Sequence, residues 1–169
     1  MSIEDRIDQN LPTRRSPRRF PFPVIVLRPI LKRIVNRIAQ RHPELFDRLG
    51  PHTQSTFVID PIDFPFALCL KPDPTDPSFK AVSRSRLPVH EARIAGKFLT
   101  LLRLVDADVD GDALFFSRDL IISGNTEAVV SLRNALDDVD ASIAEDVADM
   151  FGPFGRFALA RCRKAAGPT

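Results

Sequence analysis

The sequence contains neither tryptophan nor tyrosine, although 13 of its 169 residues are phenylalanine. Phenylalanine fills cores and apolar pockets without needing a hydrogen-bond partner, whereas buried Tyr and Trp usually bring a polar group that must find one. A Phe-rich core is the simpler interpretation of this composition, and an apolar cavity lined by Phe is the more specific one. Other features of the sequence have to decide between them.

Cysteine is also scarce. Cys69 and Cys162 are far apart and belong to no metal-binding or redox spacing, so they are interpreted as reduced thiols of a cytosolic protein. The N-terminus has no signal-peptide pattern, and no apolar run reaches the ~18 residues that a membrane-spanning helix requires. We therefore expect a cytoplasmic protein, and the basic segments described below also allow a peripheral position at the inner face of the membrane.

Local signatures of catalysis are missing. The sequence has no nucleophile elbow, no Walker loop and no dinucleotide-binding glycine pattern, and its three histidines are scattered. Asp106, Asp108, Asp110 and Gly111 resemble the start of a calcium loop, but Ser117 stands where that loop needs a glutamate. We expect no catalytic residue, metal or cofactor. A small lipid-acting enzyme that uses Asp108 or Asp112 is the least favoured alternative.

Charge is strongly segregated along the chain despite a net charge of only +2. Residues 9–41 carry nine basic side chains and no acidic one, whereas residues 104–151 are rich in aspartate. Such asymmetry indicates a charged partner for one end of the molecule. Residues 1–23 are rich in Pro and Arg and are predicted to form a disordered arm. With few aromatics and no recognised nucleic-acid module, the arm does not indicate nucleic-acid binding.

A basic amphipathic helix is predicted within residues 24–50, from about Arg28 to Arg41, with Pro29 in its first turn. Its apolar face recurs with helical spacing at Leu27, Ile30, Leu31, Ile34 and Ile38. Such a helix suits an anionic membrane surface, a partner's groove or, equally, the protein's own domain. The candidate membrane- or partner-binding residues are Arg28, Leu31, Lys32, Arg33, Ile34 and Arg37.

The remaining periodicities alternate between strands and helices. Strands are predicted in two runs separated by the breaks at Asp60–Pro61 and Asp63–Pro65, and then at Phe79–Ser83, His90–Ala95 and Leu120–Ser123. Helices are predicted at Gly96–Val105, at Thr126–Asp137 with Asn125 as its cap, at about Ile143–Phe151, and at Phe157–Lys164. Glycine and proline at positions 152 and 153 separate the last two helices.

The stretch DGDALFFSRDLIISGNTEAVVSLRNALDD, residues 110–138, is the most distinctive part of the sequence. Two adjacent phenylalanines precede a short strand, a Gly–Asn corner and a helix. This arrangement resembles the C-terminal half of sterol carrier protein type 2 (SCP-2) domains, and the resemblance extends over roughly residues 54–138. With the Pro-rich basic N-terminus and the helix region LRPILKRIVNRIAQRHPELFDRLG, the layout is similar to the UbiT type of accessory factor for oxygen-independent ubiquinone biosynthesis.

The resemblance implies a protein without catalytic residues that binds hydrophobic isoprenoid quinone precursors and presents them to the hydroxylases and methyltransferases of ubiquinone biosynthesis. We expect an α/β (α+β) fold in which helices cover one face of a five-stranded, mostly antiparallel sheet. The SCP-2-like lipid-binding domain would span residues 51–140, followed by a C-terminal helical extension over residues 141–169. The alternative is an interaction adaptor with a filled core, whose basic arm binds an acidic partner or a membrane surface.

A lipid pocket needs concentrated apolar lining and few polar groups. One sheet face and its covering helices are expected to supply this lining. Any one of these side chains is more often ordinary core, so the prediction concerns the set. The candidate lipid-binding residues are Phe64, Phe66, Leu68, Phe98, Leu102, Leu114, Phe115, Phe116 and Ile122.

Overall fold

The computed structural model describes residues 24–104, 119–137 and 143–166. The strands are β1 (Phe57–Pro61), β2 (Phe66–Lys71), β3 (Ser78–Ser83), β4 (Ala92–Gly96) and β5 (Leu120–Gly124). The helices are α1 (Val24–Arg41), α2 (Glu44–Leu49), α3 (Phe98–Arg103), α4 (Thr126–Asp137), α5 (Ile143–Asp149) and α6 (Gly152–Ala166). The predicted arm at residues 1–23 and the acidic turn, including Asp108 and Asp112, lie outside the described residues.

The five strands form one sheet in the order β3-β2-β1-β4-β5. Three of the four neighbouring pairs are antiparallel, and only β1 and β4 at the centre run parallel. The predicted α/β fold with a mostly antiparallel five-stranded sheet is therefore confirmed.

Side-chain alternation and strand register divide the sheet into two faces. Phe57 lies opposite Leu70 and Ala92, and Ile59 lies opposite Leu68 and Ile94, so all six share the inner face. Helices cover this face, because Phe57, Ala92 and Ile94 belong to one buried cluster with residues of α2, α3, α4 and α5. Their side chains there are Leu45, Leu49, Leu101, Ala128, Val129, Leu132, Ala135 and Ile143.

The corner between β5 and α4 requires the Gly–Asn pair at positions 124 and 125. Gly124 has φ = 87°, and a Cβ there would lie 2.2 Å from the carbonyl oxygen of Glu91. Both conditions favour glycine. The Oδ1 atom of Asn125 accepts a hydrogen bond from the N–H of Ala128, 3.1 Å away, so Asn125 caps α4 as predicted.

Helix α1 packs against the edge strand β3 and also contacts α5. Its buried side chains are Leu31 and Val35, and the second of these was not assigned to the apolar face from the sequence. The helix begins at Val24, so the prediction that Pro29 lies in the first turn was wrong: Pro29 lies inside the helix. Of the three surfaces considered for the apolar side of this helix, the protein's own domain is the one that Leu31 and Val35 contact.

The C-terminal helices α5 and α6 pack closely against each other. A Cβ at Gly155 of α6 would lie 2.1 Å from the carbonyl oxygen of Ala148 in α5, so only glycine permits this approach. Helix α6 begins at Gly152, one and a half turns before the predicted start at Phe157, because Gly152 and Pro153 form its first turn. Helix α2, which contributes Leu45 and Leu49 to the core, was not predicted as a separate helix.

Candidate functional site

The inner face of the sheet is covered unevenly, with a half-covered stretch around Ile59 and Leu68. Phe57 and Ile59 lie on the same central strand and point to the same side. Phe57 is 0% exposed, whereas Ile59 is only half-buried, as is its neighbour Leu68 on β2. Interiors are normally packed without gaps, so a partly covered stretch on a central strand indicates an apolar surface available to a ligand.

Three phenylalanines form an aromatic cluster next to this half-covered stretch. The rings of Phe64 and Phe66 are stacked with their centroids 5.4 Å apart, and the rings of Phe64 and Phe98 meet edge to face at 5.1 Å. All three side chains are half-buried. The cluster therefore joins the β1–β2 connection to the first turn of α3 through apolar contacts.

Hydrogen bonds hold the two parts of this aromatic cluster together. The carboxylate of Asp63 accepts a hydrogen bond from the N–H of Phe98 at 2.9 Å, which satisfies a free donor at the start of α3. The N–H of Ile62 donates to the carbonyl of Gly96 at 2.9 Å, so the chain before Phe64 is tied to the end of β4. These two bonds thus hold the backbone of Phe64 close to that of Phe98.

A buried ion cluster fixes the end of β1 that leads into this turn. Asp60 is 0% exposed, and its carboxylate accepts hydrogen bonds from the side chains of Arg84 and Arg93, with the Nε atoms at 2.9 and 3.2 Å. Arg84 also donates to the carbonyl of Pro61 at 2.7 Å. A buried carboxylate needs such compensation, and here the compensation pins the backbone three residues before Phe64.

The described candidate lipid-binding residues all lie on or beside this surface. Phe64, Phe66 and Phe98 form the aromatic cluster. Leu68 shares the inner face with Phe66, Leu102 lies on α3, and Ile122 lies opposite Ile94 on the same face; all three are half-buried. Leu114, Phe115 and Phe116 lie outside the described residues, so their assignment stays a prediction.

Three further partly buried apolar residues were not among the candidate lipid-binding residues. Ile59, Leu70 and Leu104 are partly buried and pack against the core cluster. Leu70 had a usable signal, because it shares the two-residue period of Phe66 and Leu68. Ile59 had none, because its position depends on how β1 pairs with β2.

The shifted ionisable groups in the described part of the chain lie away from the apolar surface. Burial raises the pKa of the Cys69 thiol, which is on the outer face of the sheet. Hydrogen bonds from Ser55 and Asn125 lower the pKa of Glu91, and a hydrogen bond from Arg156 lowers that of Asp149. Within residues 24–104, 119–137 and 143–166, no group of three or more His, Cys, Asp or Glu side chains has the geometry to hold a metal ion.

The structure divides the candidate membrane- or partner-binding residues of α1 into two groups. Leu31 is buried and Ile34 half-buried, because the apolar stripe of α1 packs inward. Four basic side chains remain exposed, namely Arg28, Lys32, Arg33 and Arg37. Among the described helices, none is both long and apolar enough to cross a membrane.

Comparison with known proteins agrees with this architecture. The model of the SCP-2 sterol transfer family matches residues 35–137, which is more than half of the chain. A solved structure described as "UbiJ-SCP2 Ubiquinone synthesis protein" has a TM-score of 0.54 at 15% identity, covering 69% of this chain and 93% of that one. Sterol carrier protein 2 from Yarrowia lipolytica in its apo form has a TM-score of 0.45 at 12% identity, covering 67% and 88%.

Comparison with curated protein sequences gave no significant match. At 15% identity the UbiJ-SCP2 structure establishes a shared fold, and the family model adds a match in the sequence itself. That match includes α2, all five strands, α3 and α4, and thus every described residue of the apolar surface. This chain belongs to the SCP-2 sterol transfer family, whose fold is a lipid-binding one.

Proposed function

We propose that the protein is a non-catalytic carrier that binds hydrophobic isoprenoid quinone precursors and presents them to the hydroxylases of oxygen-independent ubiquinone biosynthesis. The observation that carries the proposal is the half-covered stretch of the inner face around Ile59 and Leu68, which Phe64, Phe66 and Phe98 adjoin. A prenyl chain is a flexible apolar ligand that requires contact area more than polar recognition, and this surface offers contact area.

Two further observations support the pathway. The sequence around FFSRDLIISG and the basic N-terminal region resemble UbiT-type accessory factors. One protein of similar fold is itself described as a ubiquinone synthesis protein. The carrier would act in the cytoplasm, in contact with the membrane that supplies its ligand and with the enzymes that modify it.

Mass spectrometry of lipid extracted from the purified full chain tests the ligand class. We expect a prenylated phenol or a phospholipid to co-purify, and an added prenylated phenol to be taken up. A protein that neither carries nor takes up such a molecule contradicts the proposal. It would favour the adaptor with a filled core.

Adjacent residues of β5 provide a matched pair of variants for the binding surface. Ile122 points to the inner face and Ile121 to the outer face, where it is 65% exposed. We expect Ile122→Asp to reduce uptake of the prenylated phenol by about tenfold or more, because a charge is costly on an apolar surface. Ile121→Asp should leave uptake unchanged.

A loss of uptake by Ile122→Asp could also come from misfolding, so two further variants are needed. One keeps the surface apolar, and the other changes a separate segment. Leu68→Trp should fill the half-covered space and compete with the ligand. Replacing both Phe115 and Phe116 with Asp should abolish uptake if that pair also contacts the lipid. Unchanged uptake by folded Ile122→Asp and Leu68→Trp proteins would place the ligand elsewhere.

A further inference from the structure

Helix α6 presents an apolar stripe to solvent. Phe154 and Phe157 are 79% and 60% exposed, although phenylalanine is normally among the buried residues. Ala158, Arg161 and Ala165 are exposed too and follow Phe154 at four, seven and eleven residues, the spacing of one helical face. A clustered apolar surface of this kind marks an interaction site more often than scattered exposed residues do.

Contacts on the opposite side of α6 fix the direction of this stripe. Gly155 is buried against Ala148, where only glycine fits. Arg156 donates to Asp149 at 2.6 Å, and Arg163 donates to Glu145 at 3.1 Å. Because these contacts hold the inner side of α6 on α5, Phe154 and Phe157 cannot turn inward without breaking them.

Charge around the stripe is positive. The guanidinium of Arg161 lies over the ring of Phe157, 5.1 Å from its centroid, and Lys164 is exposed one turn after Arg161. The acidic groups of the neighbouring helix α5 are engaged, since Asp149 and Glu145 pair with α6 and Asp146 pairs with Arg41 and His42. An anionic surface is therefore the complementary partner.

We propose that the outer face of α6 docks on an anionic lipid bilayer. Phenylalanine has no polar group to satisfy, so both rings can enter the acyl boundary while Arg161 and Lys164 remain at the level of the phosphates. A protein groove that takes a helix needs a third apolar anchor at the seventh position after the first, and that position is Arg161. The stripe therefore fits a bilayer better than a groove.

The position of α6 suggests what docking would do for a lipid carrier. Helix α6 packs against α3, which contains Phe98 and Leu102 of the apolar surface. Docking through α6 would thus hold the ligand-binding part of the molecule close to the membrane. The exposed basic residues Arg28, Lys32, Arg33 and Arg37 lie on α1, which contacts the same helix α5, and they would add long-range attraction.

Flotation with vesicles tests the docking surface in the full chain. Vesicles of phosphatidylcholine with phosphatidylglycerol should bind the protein more tightly than pure phosphatidylcholine vesicles. Replacing both Phe154 and Phe157 with Ser should weaken binding by about tenfold or more. The matched control replaces Val89 and Ile121, which are 97% and 65% exposed, with Ser; it should bind as the original protein does.

The absence of tryptophan allows a direct measure of insertion. Phe154→Trp gives the protein a single tryptophan. Its emission should shift to the blue on adding anionic vesicles and be quenched by lipids brominated on the acyl chain. Val89→Trp should show neither effect. Arg161→Gln should weaken binding to the anionic vesicles but not to pure phosphatidylcholine vesicles. Added salt should weaken anionic-vesicle binding by this variant less than it weakens binding by the original protein.

Several results would overturn the proposal. They are equal vesicle binding by the Phe154/Phe157 double variant and the original protein, no preference for phosphatidylglycerol, and an unshifted tryptophan at position 154. A concentration-dependent dimer that the double variant abolishes, with vesicle binding unchanged, would instead make the stripe a contact between copies. Uptake of a prenylated phenol from detergent by the double variant should persist, which separates this test from that of the carrier function.

Discussion

The carboxylate of Asp63 accepts a hydrogen bond from the backbone N–H of Phe98, 2.9 Å away, across 35 positions of sequence. This bond connects the turn before β2 with the start of α3, and the ring of Phe64 lies against that of Phe98 beside it. A polar contact thus sets the geometry of an apolar surface. It also makes the surface sensitive to a residue that never touches a ligand.

Asp63→Ala should lower the free energy of unfolding by about 1 kcal/mol, because the first turn of α3 loses its acceptor. It should also weaken uptake of a prenylated phenol, since Phe64 and Phe98 are no longer held together. Urea unfolding and a binding titration measure the two effects. Asp76→Ala, in the exposed loop after β2, is the control and should change neither.

Gly124→Ala should destabilise the protein by about 2–4 kcal/mol, because the new Cβ meets the Glu91 carbonyl and φ is positive. Gly50→Ala separates the two causes. Gly50 also has a positive φ, of 52° with ψ of −120°, but nothing lies within 4 Å of its Cβ position, so backbone strain alone should act there, at a cost of about 1–3 kcal/mol. Equal losses in denaturant unfolding would contradict the steric argument.

Asp60→Asn should cost about 3 kcal/mol or more, because the isosteric amide cannot neutralise the two guanidinium groups that meet there. Arg86, the exposed last residue of the short 3-10 turn Arg84–Arg86, supplies a neutral comparison as Arg86→Gln. Thermal unfolding of both variants decides the matter. A small shift for Asp60→Asn would mean that the cluster is not what holds the end of β1.

Stability should fall on acidification, partly through Glu91. Hydrogen bonds from Ser55 and Asn125 lower the pKa of this carboxyl below its ordinary 4.5 in the folded state. The stabilisation is therefore complete above pH 4.5 and is lost as the pH falls through the lower folded-state pKa. Urea midpoints between neutral and acid pH should decline less steeply for Glu91→Gln than for the original protein. Parallel curves would contradict this linkage.

Much of the fold could be predicted because local pattern and tertiary context agree. The two-residue period of Phe66, Leu68 and Leu70 agrees with their shared face in the sheet, and the Gly–Asn corner marked the end of β5 and the cap of α4. Helix α4 spans Thr126–Asp137, in agreement with the predicted start at Thr126 and end at about Asp137. The apolar stripe of α1 is compatible with packing on its own domain and with binding to an external surface. The sequence therefore favoured neither.

The remainder of the site depends on contacts between distant segments. Neither Asp63 nor Ile59 is distinguished locally, because the role of each follows from a partner on another element. The outward direction of Phe154 and Phe157 likewise follows from Gly155. The close approach of Gly155 to Ala148 cannot be predicted from the periodicity of the sequence. Such relationships need the register between elements before they can be recognised.

The difference in burial between Phe57 and Ile59 on the inner face has a consequence for hydrogen exchange. Backbone amides around Phe57 and Ala92 are enclosed by the core, so their hydrogen exchange should require global unfolding. Amides of the turn before β2 and of the first turn of α3 border the half-covered stretch and should exchange through local opening. Hydrogen exchange would then be slow in the buried core of the sheet and faster in the segments that border the half-covered stretch. A bound lipid would slow exchange only in those bordering segments.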